Sequence, residues 1–192
     1  MAFFNWAAPA FNRLADRWSP ESIDDIVGWL RPYVAPHGRI IDVGGGTGAL
    51  ARKLSLALDA EVVVLDPTPE MIRYVPDESR VGAVLGSAEA MPFDDGWADA
   101  VLVSDAFHHF RDQPGAAAEF ARVVRPGGGV VVLELDPSGP FMRMLAAIER
   151  LLGEPGAFFT PEQMCAFFAE HDIDGVCERI KGPSYRFTGT IR

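Results

Sequence analysis

A chain of 192 residues with 48% hydrophobic and 23% charged residues has the composition of one soluble globular domain with room for a sizeable core, and a second domain is not expected. Seventeen basic residues against 27 acidic ones leave a net charge of −10. That balance repels a phosphate backbone and argues against nucleic acid as a partner.

The opening residues, MAFFNWAAPAFNRLADRW, lack the charged-then-apolar order of a signal peptide, and no apolar run approaches the roughly 20 residues that span a bilayer. A cytoplasmic protein without integral membrane association is expected. Apolar residues recur at helical spacing through Leu14, Trp18, Ile26 and Trp29, with a break at Ser19-Pro20, where serine suits a helix cap and proline a first turn. Two short helices are therefore expected before residue 38. The aromatic residues Phe3, Phe4, Trp6, Phe11 and Trp18 fit a cap over an apolar substrate, ordinary helix packing, or a patch that touches a membrane or a second subunit.

Residues 39–43 read as a first strand, followed by a turn holding four glycines and one threonine (IIDVGGGTG, residues 40–48) and a helix over 49–58 with Leu50, Leu54 and Leu58 on one stripe. EVVVLD, residues 61–66, is a continuous apolar run of the kind buried on both faces of a parallel sheet. A helix over 69–74 and strands over 81–85 and 97–104 follow. Next come a helix over 114–124, a plain connection through Arg125 to Gly129, and a fifth strand over 130–135. Strands alternating with helices imply right-handed crossovers and a doubly wound α/β sheet.

After Asp136 the pattern changes to an amphipathic helix over 141–152, a second helix starting at Thr160-Pro161, and two strands over 175–180 and 185–191 joined through Gly182-Pro183. Phe141, Met142, Met144, Phe158 and Phe159 suit a lid or a core helix, with core packing favoured for most of them. Cys165 and Cys177 match no zinc spacing and no secreted disulfide framework, and read as small buried hydrophobes.

Chemistry concentrates at the glycine turn. Glycine reaches positive φ without a Cβ clash, so the turn brings bare backbone close to a ligand. Gly44, Gly46 and Ala49 satisfy G-x-G-x-x-G/A, and Asp66 stands 20 residues on at the end of the second strand. An ionised carboxylate there offers two acceptor oxygens to vicinal ribose hydroxyls, a feature common to adenosine cofactors. Asp42 narrows the choice, because a second anion beside the loop is unfavourable for a pyrophosphate and favourable for a cation. S-adenosylmethionine, with a sulfonium, an ammonium and no phosphate, fits better than a dinucleotide.

GSAEAMPF (residues 86–93), SDAFHHF (104–110) and ARVVRPGGGVVVLEL (121–135) complete the pattern. In this order the chain resembles the class I S-adenosylmethionine-dependent methyltransferases, most closely the group that includes the ubiquinone/menaquinone C-methyltransferases. The resemblance covers residues 39–136. It implies a Rossmann-like, seven-stranded, mostly parallel sheet with helices on both faces and an antiparallel C-terminal hairpin strand. It also implies a single domain, with cap helices over 1–38, a cofactor core over 39–136, and a lid helix with hairpin over 137–192.

By the same resemblance, Asp42, Gly44, Gly45 and Gly46 serve the methionine end of the cofactor and Asp66 the ribose. Pro67 and Met71 pack near the adenine, Ala88 offers its N–H to the ring, and Ser104 lies beside the methionine moiety. Ser87 stands where family members often carry Asp, so either Ser87 or Glu89 covers the adenine amino group, or adenine affinity is lower here.

His108 and His109 sit at the carboxyl end of the fourth strand, where α/β folds bind ligands. No carboxylate or cysteine stands at a metal-ligand spacing from them, and no metal site is expected. His108, with Asp105 behind it, suits proton acceptance or substrate positioning, or a structural hydrogen bond. The expected reaction is in-line transfer of the sulfonium methyl to a small, apolar or aromatic acceptor. The alternatives are a non-catalytic S-adenosylmethionine-binding protein and a nicotinamide-dependent oxidoreductase; the latter lacks the expected Tyr/Lys proton-donor pairing.

Overall fold

The computed structural model describes residues 20–75, 79–151, 153 and 155–192. The first expected helix and the aromatic residues through Trp18 lie outside the described residues. The described elements are α1 (Pro20–Leu30), β1 (Arg39–Val43), α2 (Ala49–Leu58), β2 (Glu61–Asp66), α3 (Pro69–Ile72), β3 (Val81–Leu85), β4 (Ala98–Ser104), α4 (Gln113–Val123), β5 (Val124–Leu135), α5 (Pro140–Leu151), α6 (Pro161–Ala169), β6 (Ile173–Arg179) and β7 (Ser184–Ile191), with a 3-10 turn at Phe107–His109.

The strands form one seven-stranded sheet in the order β3-β2-β1-β4-β5-β7-β6. β1 to β5 pair in parallel, and β7 runs antiparallel to both β5 and β6. The α/β fold class and the antiparallel hairpin are as expected. Alternate residues of the central strands feed two cores. On one face Ile40, Val62, Val64, Leu102 and Val131 pack with Ile26 and Leu30 of α1 and Leu50 and Leu54 of α2. On the other, Ile41, Val43, Val101, Val103 and Val132 pack with Phe120 of α4, Met164 and Phe168 of α6, and Tyr185 and Phe187 of β7.

The chain runs outward from β1 through β2 to β3, then returns to β4 on the opposite side of β1. Crossovers therefore leave on opposite sides of the β1/β4 pair and open a crevice at the carboxyl ends of these strands. The glycine turn sits there.

Several boundaries move, each for a local reason. α4 starts at Gln113, one residue early, because the Asp112 side chain accepts from the Gly115 N–H and caps it there. It stops at Val123 because Val124 is already extended (φ −88°, ψ 134°), and Pro126 cannot continue a helix. The glycine run at 127–129 is not a plain connection. It lies within β5, as an irregularity between the Ala98↔Val124 and Ala100↔Gly129 pairs. α3 ends at Ile72.

The C-terminal aromatic and sulfur residues also divide differently than expected. Met142 is buried and Phe159 packs against the core, whereas Phe141 and Met144 of α5 are exposed. The cysteines are half-buried rather than buried, and they face each other across α6 and β6 with 2.9 Å between the sulfurs.

Candidate functional site

β1 carries, just before the glycine turn, an acid that the protein leaves unsatisfied. Asp42, fully enclosed in β1 between Val64 and Leu102, has no hydrogen-bond partner on either carboxylate oxygen among the described residues. Burial, with Asp66 as a second cause, pushes its pKa up to about 7. A bare backbone lies under the carboxylate. A Cβ on Gly45 would stand 2.5 Å from Asp42 Oδ2, and one on Gly44, whose φ is +72°, would stand 2.6 Å from the Ala106 Cβ. A buried, unpartnered carboxylate is costly unless something cationic completes it.

Asp66 at the end of β2 reaches the same turn. Its Oδ2 accepts from the Gly46 N–H at 3.1 Å and its Oδ1 from the Thr68 N–H at 2.8 Å. Burial raises its pKa, opposed by these two N–H groups and the Thr68 side chain. These contacts aim the carboxylate at the turn and leave it acceptor capacity for a further donor. Pro67 and Met71 follow on the same wall.

The turn after β3 is fixed from α4. Arg122 donates to the carbonyls of Met91 and Phe93, and Glu119 accepts from the Met91 N–H at 2.7 Å. These bonds steady Ser87, Ala88 and Glu89 at the cavity edge. Glu89 accepts from the Arg111 N–H at 3.1 Å and the Asp112 N–H at 3.4 Å, which ties one of its oxygens to the opposite rim.

His108 occupies the 3-10 turn after β4, and its Nδ1 lies 2.8 and 3.0 Å from the two Glu134 oxygens. Those oxygens also accept from backbone: Oε1 from the His108 N–H and Oε2 from the Leu135 N–H, each at 3.2 Å. Glu134 therefore accepts throughout, and Nδ1 donates to it. The Phe158 ring stacks on His108 at 4.0 Å and 15°. The strap that carries it is pinned by Ala157 N–H to His108 O, by Gln113 Nε2 to the carbonyls of Phe107 and Ala157, and by the Tyr185 hydroxyl to the Phe159 carbonyl. Burial, with His108 next to it, pushes His109 down to about 3, so that ring is neutral at physiological pH.

The carboxylate behind His108 is thus Glu134 of β5, and the expected assignment of Asp105 to that place is corrected. Asp105 has left-handed backbone (φ 52°) at the exit of β4 and lines the cavity. Glu134 belongs to the neighbouring parallel strand, one residue past Leu133, which pairs with Ser104. The available signal was a lone acid inside the apolar run VVVLEL. A charge there requires a buried partner.

These groups face one cavity of about 750 Å³, within the range of small-molecule and cofactor sites. Asp42, Gly44, Gly45, Gly46, Asp66, Pro67, Met71, Ser87, Ala88, Glu89, Ser104, Asp105 and His108 all line it. Ser104 brings a buried hydroxyl with no partner among the described residues. No group of three or more His, Cys, Asp or Glu among the described residues is arranged to hold a metal ion. No described helix is long and apolar enough to cross a membrane.

Sheet order, a glycine turn after the first strand and a carboxylate at the end of the second are features of α/β domains that bind nucleoside cofactors. Comparison with known proteins narrows the class. A profile of the methyltransferase domain matches residues 41–132. A protein of Mycobacterium tuberculosis named an uncharacterized methyltransferase is 39% identical over 155 residues, 79% of this chain and 60% of that protein. The demethylmenaquinone methyltransferase of Thermus thermophilus is 35% identical over 169 residues, 79% of this chain and 74% of that enzyme. The crystal structure of an S-adenosylmethionine-dependent methyltransferase of Thermotoga maritima, described as a possible histamine N-methyltransferase, superposes with a TM-score of 0.75 at 19% identity, covering 98% of each chain. At that identity the likeness speaks for the fold alone. The chain belongs to the S-adenosylmethionine-dependent methyltransferase family. It spans about 60% of the length of the mycobacterial relative.

Proposed function

We propose that this chain binds S-adenosylmethionine and transfers its methyl group to a small-molecule acceptor with an ionisable hydroxyl or enol. The observation that carries the reading is Asp42: a buried carboxylate with two unpartnered oxygens, folded over a backbone kept bare by Gly44 and Gly45. A cationic amino-acid moiety satisfies it, whereas a dinucleotide's pyrophosphate repels it. When bound, S-adenosylmethionine supplies an electrophilic methyl on sulfur.

The residues around it bind and orient. Asp42 faces the ammonium, Asp66 takes the ribose hydroxyls with the lone pairs left by Gly46 and Thr68, and Met71 and Ala88 border the adenine. Glu89 has one oxygen engaged by the opposite rim, so the Ser87 hydroxyl is the more available partner for the adenine amino group. His108 accepts the acceptor's proton at Nε2 while Glu134 holds Nδ1. The Phe158 strap covers that ring and excludes water from it.

The name of the Thermus relative makes quinol-type rings the first acceptors to assay. Such a ring carries both the acidic hydroxyl that a base requires and the apolar body that the cavity accepts. The test is incubation of the full chain with S-adenosylmethionine and a panel of quinols, catechols and simple phenols, followed by mass spectrometry. The expected result is one added methyl on a hydroxyl-bearing ring with equimolar S-adenosylhomocysteine. Cofactor binding without transfer to any of these, alongside rapid methylation of amines, would remove the base from the scheme.

A further inference from the structure

Outside the cavity, one pair of reactive side chains is brought together by the fold and has no part in the chemistry above. Cys165 and Cys177 are the only cysteines of the chain. The Cys165 thiol donates to the Cys177 sulfur across 2.9 Å, and both residues are half-buried and free. Closing to the roughly 2.05 Å of a disulfide needs less than about 1 Å of travel. With no third ligand beside them among the described residues, the two sulfurs do not make a zinc site there.

Their positions give the contact a mechanical meaning. α6 is anchored at its start by a capping box between Thr160 and Gln163, and it buries Met164 and Phe168 against the sheet. Cys165 follows Met164 within the same turn. β6 is the edge of the sheet, paired only with β7. Of its residues only Ile173 is buried, and Asp174, Val176, Glu178 and Arg179 are exposed. Cys177, opposite Phe187 in the β6/β7 ladder, meets α6 at the Cys165 sulfur.

We propose that Cys165 and Cys177 are a redox modification site, converted by hydrogen peroxide into a reversible disulfide that staples the edge strand β6 to α6. The Cys165 sulfur attacks the peroxide O–O bond, becoming a sulfenic acid as one water leaves. The Cys177 sulfur then attacks the Cys165 sulfur. The S–S bond forms, the S–O bond breaks, and the Cys177 proton departs with the hydroxyl as a second water. Two electrons pass from the thiol pair to the peroxide. Burial, with Cys165 beside it, pushes the Cys177 thiol above its usual range, which leaves the first attack on the peroxide to Cys165. The staple lies just beyond the strap, since Phe158 precedes the Thr160 cap by two residues. Oxidation therefore stiffens the anchor of the segment that covers His108.

The experiment uses the full chain, reduced and then treated with one equivalent of hydrogen peroxide, followed by non-reducing peptide mapping, thiol titration and thermal unfolding. The expected product is a monomer two hydrogens lighter, with a Cys165–Cys177 cross-link that dithiothreitol reverses. Its Tm should be higher by about 5 °C, the scale for closing a short loop in a domain of this size. Amide exchange should slow in α6 and β6. In Cys177→Ala the reaction should stop at a sulfenic acid on Cys165, trapped by dimedone, with no rise in Tm. Oxidation of the two sulfurs to separate sulfinic acids, cross-links only between chains, or an oxidised wild type no more stable than the reduced one would each overturn the proposal. The wild-type comparison stands even if the alanine variant does not fold.

Discussion

Asp42 sets the behaviour of the cavity. Its pKa lies near 7 in the folded chain against 3.8 for an ordinary aspartate, so the folded state holds that proton more tightly than the unfolded state. Its contribution to stability is full below about pH 4 and is lost as pH rises towards 7. Asp42→Asn removes that loss. The ligand-free variant should melt a few degrees above wild type at pH 8, about 1–2 kcal/mol, with little difference near pH 4. The same variant should bind S-adenosylmethionine at least about 100-fold more weakly, because an unpaired charge-assisted contact is lost. Calorimetry and thermal unfolding on one preparation check both halves. A variant that gains no stability at pH 8 would remove the idea of an acid kept at a cost for its ligand. Asp42 was legible in the sequence because it interrupts an apolar strand just before glycines. Its lack of a partner was not, since that depends on what the neighbouring strands present to it.

At the scale of elements, β5 and the strap from α5 to α6 fix a loop histidine between a carboxylate and an aromatic ring. In the isotope-labelled protein, ring-nitrogen resonances should show His108 protonated at Nδ1, and Glu134→Gln should abolish that preference. With an acceptor at saturation, His108→Ala should lower kcat by about 10²-fold or more while KM changes little, and Glu134→Gln should lower it less. Full turnover in both variants would leave the dyad a structural bond only. His108 is legible in the sequence through its place after the fourth strand. Its carboxylate partner is not, because that partner is set by strand pairing: β4 and β5 run in register with Ser104 beside Leu133, and this brings in Glu134 from 26 residues away rather than Asp105 from the same turn. Phe158 was ambiguous for the same reason, because its stacking depends on a strap held by Gln113 and Tyr185.

Across the whole molecule the architecture follows from a few readable patterns. Apolar runs at β1, β2, β4 and β5 can be buried on both faces only in a parallel sheet between helices, and the glycine turn after the first of them marks the crevice. The positions of β1, β2 and β3 match their expected bounds because apolar content ends abruptly at Asp42-Val43-Gly44, Asp66 and Gly86. The glycine run in β5 reads as a connection because glycine and proline ordinarily break strands. Its actual place is an irregularity, set by the β4 partner. The two carboxylates at the crevice, one unpartnered and one held by the glycine turn and Thr68, come from different strands and meet only because β1 and β2 are neighbours. Calorimetric titration of the wild-type chain with S-adenosylmethionine and, separately, with reduced nicotinamide dinucleotide, at pH 6 and pH 8, tests this arrangement most directly. The sulfonium cofactor should bind at both, more tightly at pH 8 and with release of about one proton at pH 6 as Asp42 ionises, while the dinucleotide should not bind. Binding of the dinucleotide alone, or cofactor binding with no proton released at pH 6, would contradict the account.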